Sequence, residues 1–302
     1  MIHVFGHLNP DSDAICTAFM TARWLTLRGE KAVAFRLGEA NRETQFIFSR
    51  AGVPLPERLT VSLSGCDVWL VDFTEPAQGP QTLAESNVVG IIDHHRLGGL
   101  ITRLPPEVWI KPVGSSATLL WQLMAAPYRA QISAAEAMLL LGAILSDTVT
   151  LRSPTTTADD RLAVEELSQL TGVVLDEFSA ALLRAKTSVE GMSAQALLHK
   201  DIKSFTIHGQ HIRVAQLELY ALEQVAAMTE ELHREMERHQ AETGAALVVL
   251  MLTDINRQYS QLLFAGRARP DVPQPCVVEG MLSRKKQMLP WLEQHLSRPV
   301  QE

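Results

Sequence analysis

Short apolar runs alternate with longer stretches of helical period through the first 172 residues. Residues 2–5 (IHVF), 31–36 (KAVAFR), 67–72 (DVWLVD) and 88–93 (VVGIID) read as strands. Helices are predicted over 14–29, stopped by Gly29, and over 42–52, ending in Gly52. Further helices are predicted over 115–125, 133–147 and 157–172. Strands alternating with helices predict an α/β domain with a mostly parallel sheet flanked by helices. In such sheets ligands bind beyond the carboxyl ends of the strands.

The pattern changes after about residue 187. Residues 186–194 (KTSVEGMSA) read as a linker, and 203–219 as a β-hairpin turning at His208-Gly209-Gln210. A long charged helix over 221–244 follows, then a buried strand from 245, a partner strand for it over 259–266, and a closing segment, SRKKQMLPWLEQHL, at 283–296. This predicts a smaller α+β domain. The expected organisation is a first domain over 1–187, a linker over 188–194 and a second domain over 195–302.

With 46% hydrophobic and 20% charged residues, the 302-residue chain has enough apolar material for full cores. A net charge of -7 argues against a general nucleic-acid binder but not against a small anionic substrate met by a locally positive site. Cys16, Cys66 and Cys276 are widely spaced and read as reduced thiols. The longest apolar runs, 137–145 and 245–252, are too short to span a bilayer, and no basic segment leads into a long apolar one at the N-terminus. A soluble cytoplasmic protein is expected.

Three predicted strands end in acids or imidazoles. The first runs into HLNPDSDAI, with His7, Asp11 and Asp13; the others end at Asp72 and at Asp93-His94-His95. Asp147 closes the 133–147 helix. Taken singly, Asp11 or Asp13 reads as a helix cap, Asp72 and Asp147 as turn residues, and the histidine pair as one core and one surface residue. Together His7, Asp11, Asp13, Asp72, His94 and Asp147 form a constellation. Four crowded carboxylates resist ionisation unless cations neutralise them. Two divalent ions suit four Asp and two His, and the mixed donor set favours Mn²⁺, Co²⁺ or Fe²⁺ over Mg²⁺. In the second domain Arg284 and Lys285 stand near a predicted helix start, either as a solvated patch or as an anion site. Lys203 is a further cation, which alone reads as a surface lysine.

The ordered motifs GHLNPDSDAI, VD at 71–72, DHH at 93–95, SDT at 146–148, DIKSF at 201–205 and SRKKQ at 283–287 resemble the DHH phosphoesterase superfamily, and within it the manganese-dependent (family II) inorganic pyrophosphatases. The resemblance implies a DHH domain holding two Mn²⁺, a DHHA2-type second domain binding the phosphates, and an active site in the cleft between them. Position by position, it implies that His7, Asp11 and Asp72 hold one ion. Asp13, Asp72, His94 and Asp147 would hold the other, with Asp72 bridging. His95 would contact substrate and protonate the leaving group; Lys203, Arg284 and Lys285 would bind phosphate; Asp93 would orient a neighbouring ligand. The implied reaction is hydrolysis of pyrophosphate to two orthophosphates by a water activated between the two ions, with Mg²⁺ arriving on the substrate and Co²⁺ as an alternative metal. The resemblance also implies a homodimer.

Two departures from the family pattern stand out. Residues 214–220 (VAQLELY) replace a usual Val-Asn continuation, which would loosen the inner wall of the second domain, and Arg152 stands where Lys is frequent. A related phosphodiesterase or exopolyphosphatase is the nearest rival. Nucleotide substrates need a stacking wall, and only 6% of the chain is aromatic. A metal-free scaffold is the rival from another class, and it would be expected to have lost ligands.

Overall fold

The structure is a computed structural model and describes residues 1–296. The chain divides into two compact units, Met1–Lys186 and Thr187–Glu302, of which 297–302 lie outside the described residues.

In the first unit six strands form one sheet: β1 (Ile2–Phe5), β2 (Ala32–Arg36), β3 (Glu57–Arg58), β4 (Asp67–Val71), β5 (Asn87–Asp93) and β6 (Glu107–Ile110). Their order is β3-β2-β1-β4-β5-β6 and every pairing is parallel. The order reverses direction between β1 and β4, so the connections after these two strands leave on opposite faces and a crevice opens at their carboxyl ends. Alternation along β4 explains why the sheet is covered on both sides. Trp69 and Val71 enter the larger core, whereas Val68 and Leu70 enter a smaller one with Phe5, Phe73 and Leu83.

The larger core is closed by helices α1 (Ser12–Leu27), α2 (Arg42–Ala51), α3 (Ser116–Leu123), α4 (Ala126–Arg129), α5 (Ala134–Asp147), α6 (Ala158–Thr171) and α7 (Leu175–Lys186). Local chemistry sets several boundaries. Asn41 caps α2 and Gly52 ends it in the left-handed conformation, while Ser133 with Glu136 and Thr157 with Asp160 form capping boxes on α5 and α6. The strands at 57–58 and 107–110 and the helix at 175–186 lie where the sequence pattern gave no clear period.

Gly6 joins β1 to the loop before α1. A Cβ there would lie 2.5 Å from Ala14 Cβ and 2.8 Å from its Cα and carbonyl oxygen, so the strand end and the first turn of α1 touch through backbone. Gly6→Ala is therefore expected to cost about 3 kcal/mol, at the high end of overpacking penalties, because the obstacle is a helix rather than a flexible side chain. Urea unfolding of the first unit, followed by the fluorescence of buried Trp24 and Trp69, checks this.

The second unit holds α8 (Ala194–His199), β7 (Ile202–Ile207), β8 (Gln210–Leu219), α9 (Thr229–Thr243), β9 (Leu247–Asp254), β10 (Tyr259–Gly266), β11 (Cys276–Glu279) and α10 (Leu289–His295). Its sheet runs β11-β10-β9-β8-β7, with β8 and β9 parallel across the α9 crossover and the other pairs antiparallel. All eight residues of β9 are buried. Val248, Leu250 and Leu252 face the core that includes Leu232 and Met236 of α9; Leu247, Val249 and Met251 face the core that includes Leu292 of α10.

Three sequence expectations change here. The long helix expected over 221–244 is a 3₁₀ segment, Leu222–Met228, followed by α9. The expected linker residues Val189 and Met192 pack in the second unit's core. The departure within 214–220 loosens nothing, because Ala215, Leu217 and Leu219 are buried in that same core and Glu218 is exposed. Cys16, Cys66 and Cys276 are free thiols, and no helix among the described residues is long and apolar enough to cross a membrane.

Candidate metal centre

The carboxyl ends of β1, β4 and β5 bring His7, Asp72 and His94 together, and the ends of two helices add the remaining acids. Asp11 caps α1, its Oδ1 accepting from Ala14 N–H at 2.9 Å, while its Oδ2 lies 3.7 Å from His7 Nε2. Capping and site chemistry thus use different oxygens of one carboxylate. Asp13, in the first turn of α1, is fully buried and reaches the N-terminus of α3. It accepts from Thr17 Oγ1, Ser115 Oγ and the backbone N–H groups of Ser116 and Ala117, at 2.6–3.1 Å.

Asp72 occupies the centre. It follows β4 in the left-handed conformation, φ 67°, which Asp tolerates better than most residues, and its N–H is held by Ile92 O at 2.8 Å. Its Oδ1 accepts from Ser116 Oγ at 2.9 Å and lies 3.2 Å from His94 Nε2; its Oδ2 lies 3.4 Å from His7 Nε2. That Oδ2 is buried and accepts no hydrogen bond among the described residues. His94 Nε2 also faces Asp147 Oδ2 at 3.5 Å and Asp13 Oδ2 at 3.9 Å.

The histidine tautomers follow from their other ring atoms. Nδ1 of His7 contacts the Leu8 carbonyl at 2.8 Å and Nδ1 of His94 the Val113 carbonyl at 2.9 Å. A carbonyl only accepts, so each Nδ1 carries a proton and the neutral ring offers its Nε2 lone pair inward, as metal-ligating histidines do. Asp93, fully buried, accepts from the His95 backbone N–H at 3.0 Å and holds its Nδ1 at 2.9 Å. His95 itself is half exposed, with Nδ1 3.6 Å from Asp72 Oδ1.

Crowding shifts the titrations. Burial disfavours protonated His7, yet Asp11 and Asp72 outweigh it and raise the imidazole to about 11. Burial opposes the charge on His94 as well, but Asp72 and Asp13 raise it to about 10. Burial and the Asp72 charge push Asp13 up to about 6, and burial with the neighbouring acids raises Asp147 well above the carboxylate range. Asp72, though buried, is held below its ordinary value by the two histidines. Protons here do the work that cations would otherwise do.

Three groups have ligand atoms within 4.8 Å of one another: His7, Asp11 and Asp72; Asp13, Asp72, His94 and Asp147; and Asp72, His94 and His95. A mixed imidazole–carboxylate set around an unpaired buried oxygen fits a transition-metal ion of the Mn²⁺ kind. Beside it lies a recess of about 300 Å³ lined in part by His7, Asp72, Thr74, His95 and Arg96.

Sequence reasoning missed Ser115, Ser116 and Asp160, which hold this arrangement from behind. Asp160 accepts from Gly114 N–H and Thr118 Oγ1 and so fixes the segment carrying the two serines. The SSAT stretch signals a helix cap, but nothing local shows that its donors serve an aspartate about 100 residues away.

Two of the second-unit cations, Arg284 and Lys203, gather around Asp201. Arg284 is buried and pairs with both Asp201 carboxylate oxygens at 2.9 and 3.0 Å; Lys203 Nζ lies 4.0 Å from Oδ1; Lys285 is exposed. The helix start expected at Arg284 and Lys285 is instead a π-helical turn, Arg284–Met288, capped by Ser283. The helix proper begins at Leu289.

The sequence matches the DHH family, N-terminal domain over residues 1–144 and the DHHA2 domain over 180–295. A Staphylococcus aureus (strain JH9) protein named as a probable manganese-dependent inorganic pyrophosphatase is 37% identical, over 98% of this chain and 99% of its own. A crystal structure from Methanococcus jannaschii, of a protein assigned as a family II inorganic pyrophosphatase, is 33% identical with a TM-score of 0.63, covering 98% and 99% of the two chains. An exopolyphosphatase-related protein from Bacteroides fragilis shares the fold at 13% identity and a TM-score of 0.52, over 88% and 80%. Identity at this level along nearly the whole of both sequences places the chain in the family of manganese-dependent inorganic pyrophosphatases.

Proposed function

We propose that the protein hydrolyses inorganic pyrophosphate to two orthophosphates at a pair of Mn²⁺ sites in its first unit. His7, Asp11 and Asp72 would hold one ion; Asp13, Asp72, His94 and Asp147 the other. The observation that carries this reading is Asp72, whose carboxylate belongs to all three ligand groups, and so to both proposed sites, and keeps one buried oxygen unpaired. Bound there, the ions would supply Lewis acidity and would activate water as a nucleophile at neutral pH.

The protein's own groups supply the rest. The recess of about 300 Å³ beside the ligands has room for a diphosphate, and Arg96 brings a positive charge to its lining. His95 is held by Asp93 through Nδ1, which leaves Nε2 as the ring atom that hands a proton to the departing phosphate. The Asp93 hydrogen bond raises the His95 imidazole, so more of it is protonated at neutral pH. Lys203, Arg284 and Lys285 neutralise the phosphate oxygens. Mg²⁺ would accompany the substrate, and Co²⁺ would serve the same ligands as Mn²⁺. Free cysteines accord with a cytoplasmic setting.

Orthophosphate release from pyrophosphate, tripolyphosphate and a dinucleotide, with Mn²⁺ present, tests the reading. Pyrophosphate is expected to turn over at least about 100-fold faster than either competitor, about the discrimination that one missing subsite contact supplies. Equal rates on tripolyphosphate would move the assignment to a polyphosphatase.

A further inference from the structure

Asp201 precedes β7, and Arg284 opens the turn that leads into α10, 83 residues later. The two form a fork in which every Nη position of Arg284 is used. Nη2 donates to both Asp201 carboxylate oxygens, and Nη1 to the Asp201 carbonyl at 2.7 Å and the Val214 carbonyl at 3.4 Å. The side chain is 9% exposed. Nε makes no hydrogen bond among the described residues, and it is not one of the protein's buried unpaired atoms. Lys203 stands on the other side of the same carboxylate.

We infer that Asp201 is a positioning residue for the anion-binding edge of the second unit: it grips Arg284 by its two Nη atoms, leaves the Nε–H for a phosphate oxygen, and holds Lys203 alongside. The inference rests on the reading that these cations take phosphate. A guanidinium clamped on one edge loses little rotamer freedom on binding, so the clamp lowers the entropic cost of ordering it.

The test uses the full chain loaded with Mn²⁺. Asp201→Asn keeps the shape and removes the charge. It is expected to raise KM for pyrophosphate about 10-fold, the usual size for a lost outer partner, with kcat within about 3-fold and Mn²⁺ content unchanged. Because Asp201 acts through Arg284, adding Asp201→Asn to Arg284→Ala should change KM by less than about 2-fold. An unchanged or lower KM in Asp201→Asn, or effects that multiply in the double variant, would overturn the inference. If Asp201→Asn does not fold, Arg284→Lys, which keeps the charge and loses the fork, should give the same KM rise; a wild-type KM would overturn it. Should the wild type not hydrolyse pyrophosphate, the proposed function fails separately. The clamp is then read by calorimetry with inorganic phosphate, whose affinity Asp201→Asn must still lower about 10-fold.

Discussion

Asp72→Asn is expected to remove both Mn²⁺ binding and pyrophosphate hydrolysis, with activity falling on the order of 10³-fold or more. Asp72 contributes to both proposed sites, so one substitution weakens two sites together, whereas losing Asp11 or Asp147 touches one. Asn is the right probe because it tolerates the left-handed backbone at φ 67° and fills the same volume, so the loss is electronic rather than structural. The amide also turns an acceptor oxygen into an N–H₂ donor inside a site that already holds two imidazoles. Metal analysis and the phosphate-release assay read the two effects. Arg284→Ala, in the other unit, should keep full Mn²⁺ content while slowing turnover. A Mn²⁺-replete, active Asp72→Asn protein would refute the shared-ligand arrangement.

Raising the pH is expected to destabilise the metal-free protein and to tighten Mn²⁺ binding at the same time. His7 and His94 are raised from ordinary histidine values to about 11 and about 10 in the fold. Groups raised in this way stabilise the fold fully below their unfolded pKa, near 6.5, and that contribution is lost as the pH climbs through the folded values. Asp13, raised to about 6, acts in the same direction between about 4 and 6. Asp72 has the opposite sign: held low, it stabilises above the ordinary Asp range, and that part is lost in acid. Chelator-treated protein should therefore melt at progressively lower temperature from about pH 6.5 to 10. Loading both sites must displace the inward proton of each histidine, one per ion, and the raised proton of Asp147, so it should release at least two protons and tighten each ion about 10-fold or more per pH unit near neutrality. The stabilisation by a fixed Mn²⁺ concentration then grows with pH. Proton release in weak buffer and melting curves with and without Mn²⁺ check both slopes. Affinity that does not change with pH would mean that these histidines are not ligands.

Much of the first unit was legible because its signals are local. Short apolar runs gave β1, β2, β4 and β5, and Ser, Thr, Asn and Gly punctuation gave most helix ends. The six residues that meet at the candidate metal centre could be chosen because each sits at an element end, and a parallel sheet gathers its strand ends on one edge. Other features were illegible for equally physical reasons. The β6 segment, EVWI, is four residues long and only half-buried, too short to show a period. The segment 283–288 has the residues of a helix start, yet Arg284 is drawn into the Asp201 fork and the first turn widens to a π geometry.

The order of apolar and polar positions by itself determined that a parallel sheet would form and that acids and imidazoles would crowd one edge of it, since strand period and chain direction are local properties. Which oxygen caps a helix and which faces an imidazole, how Ser115, Ser116 and Asp160 steady the acids, and that Arg284 is gripped rather than free were decided only by the tertiary structure. The serine, Asp160 and Arg284 contacts join residues from about 40 to 104 positions apart, and their energies depend on burial that no local pattern encodes.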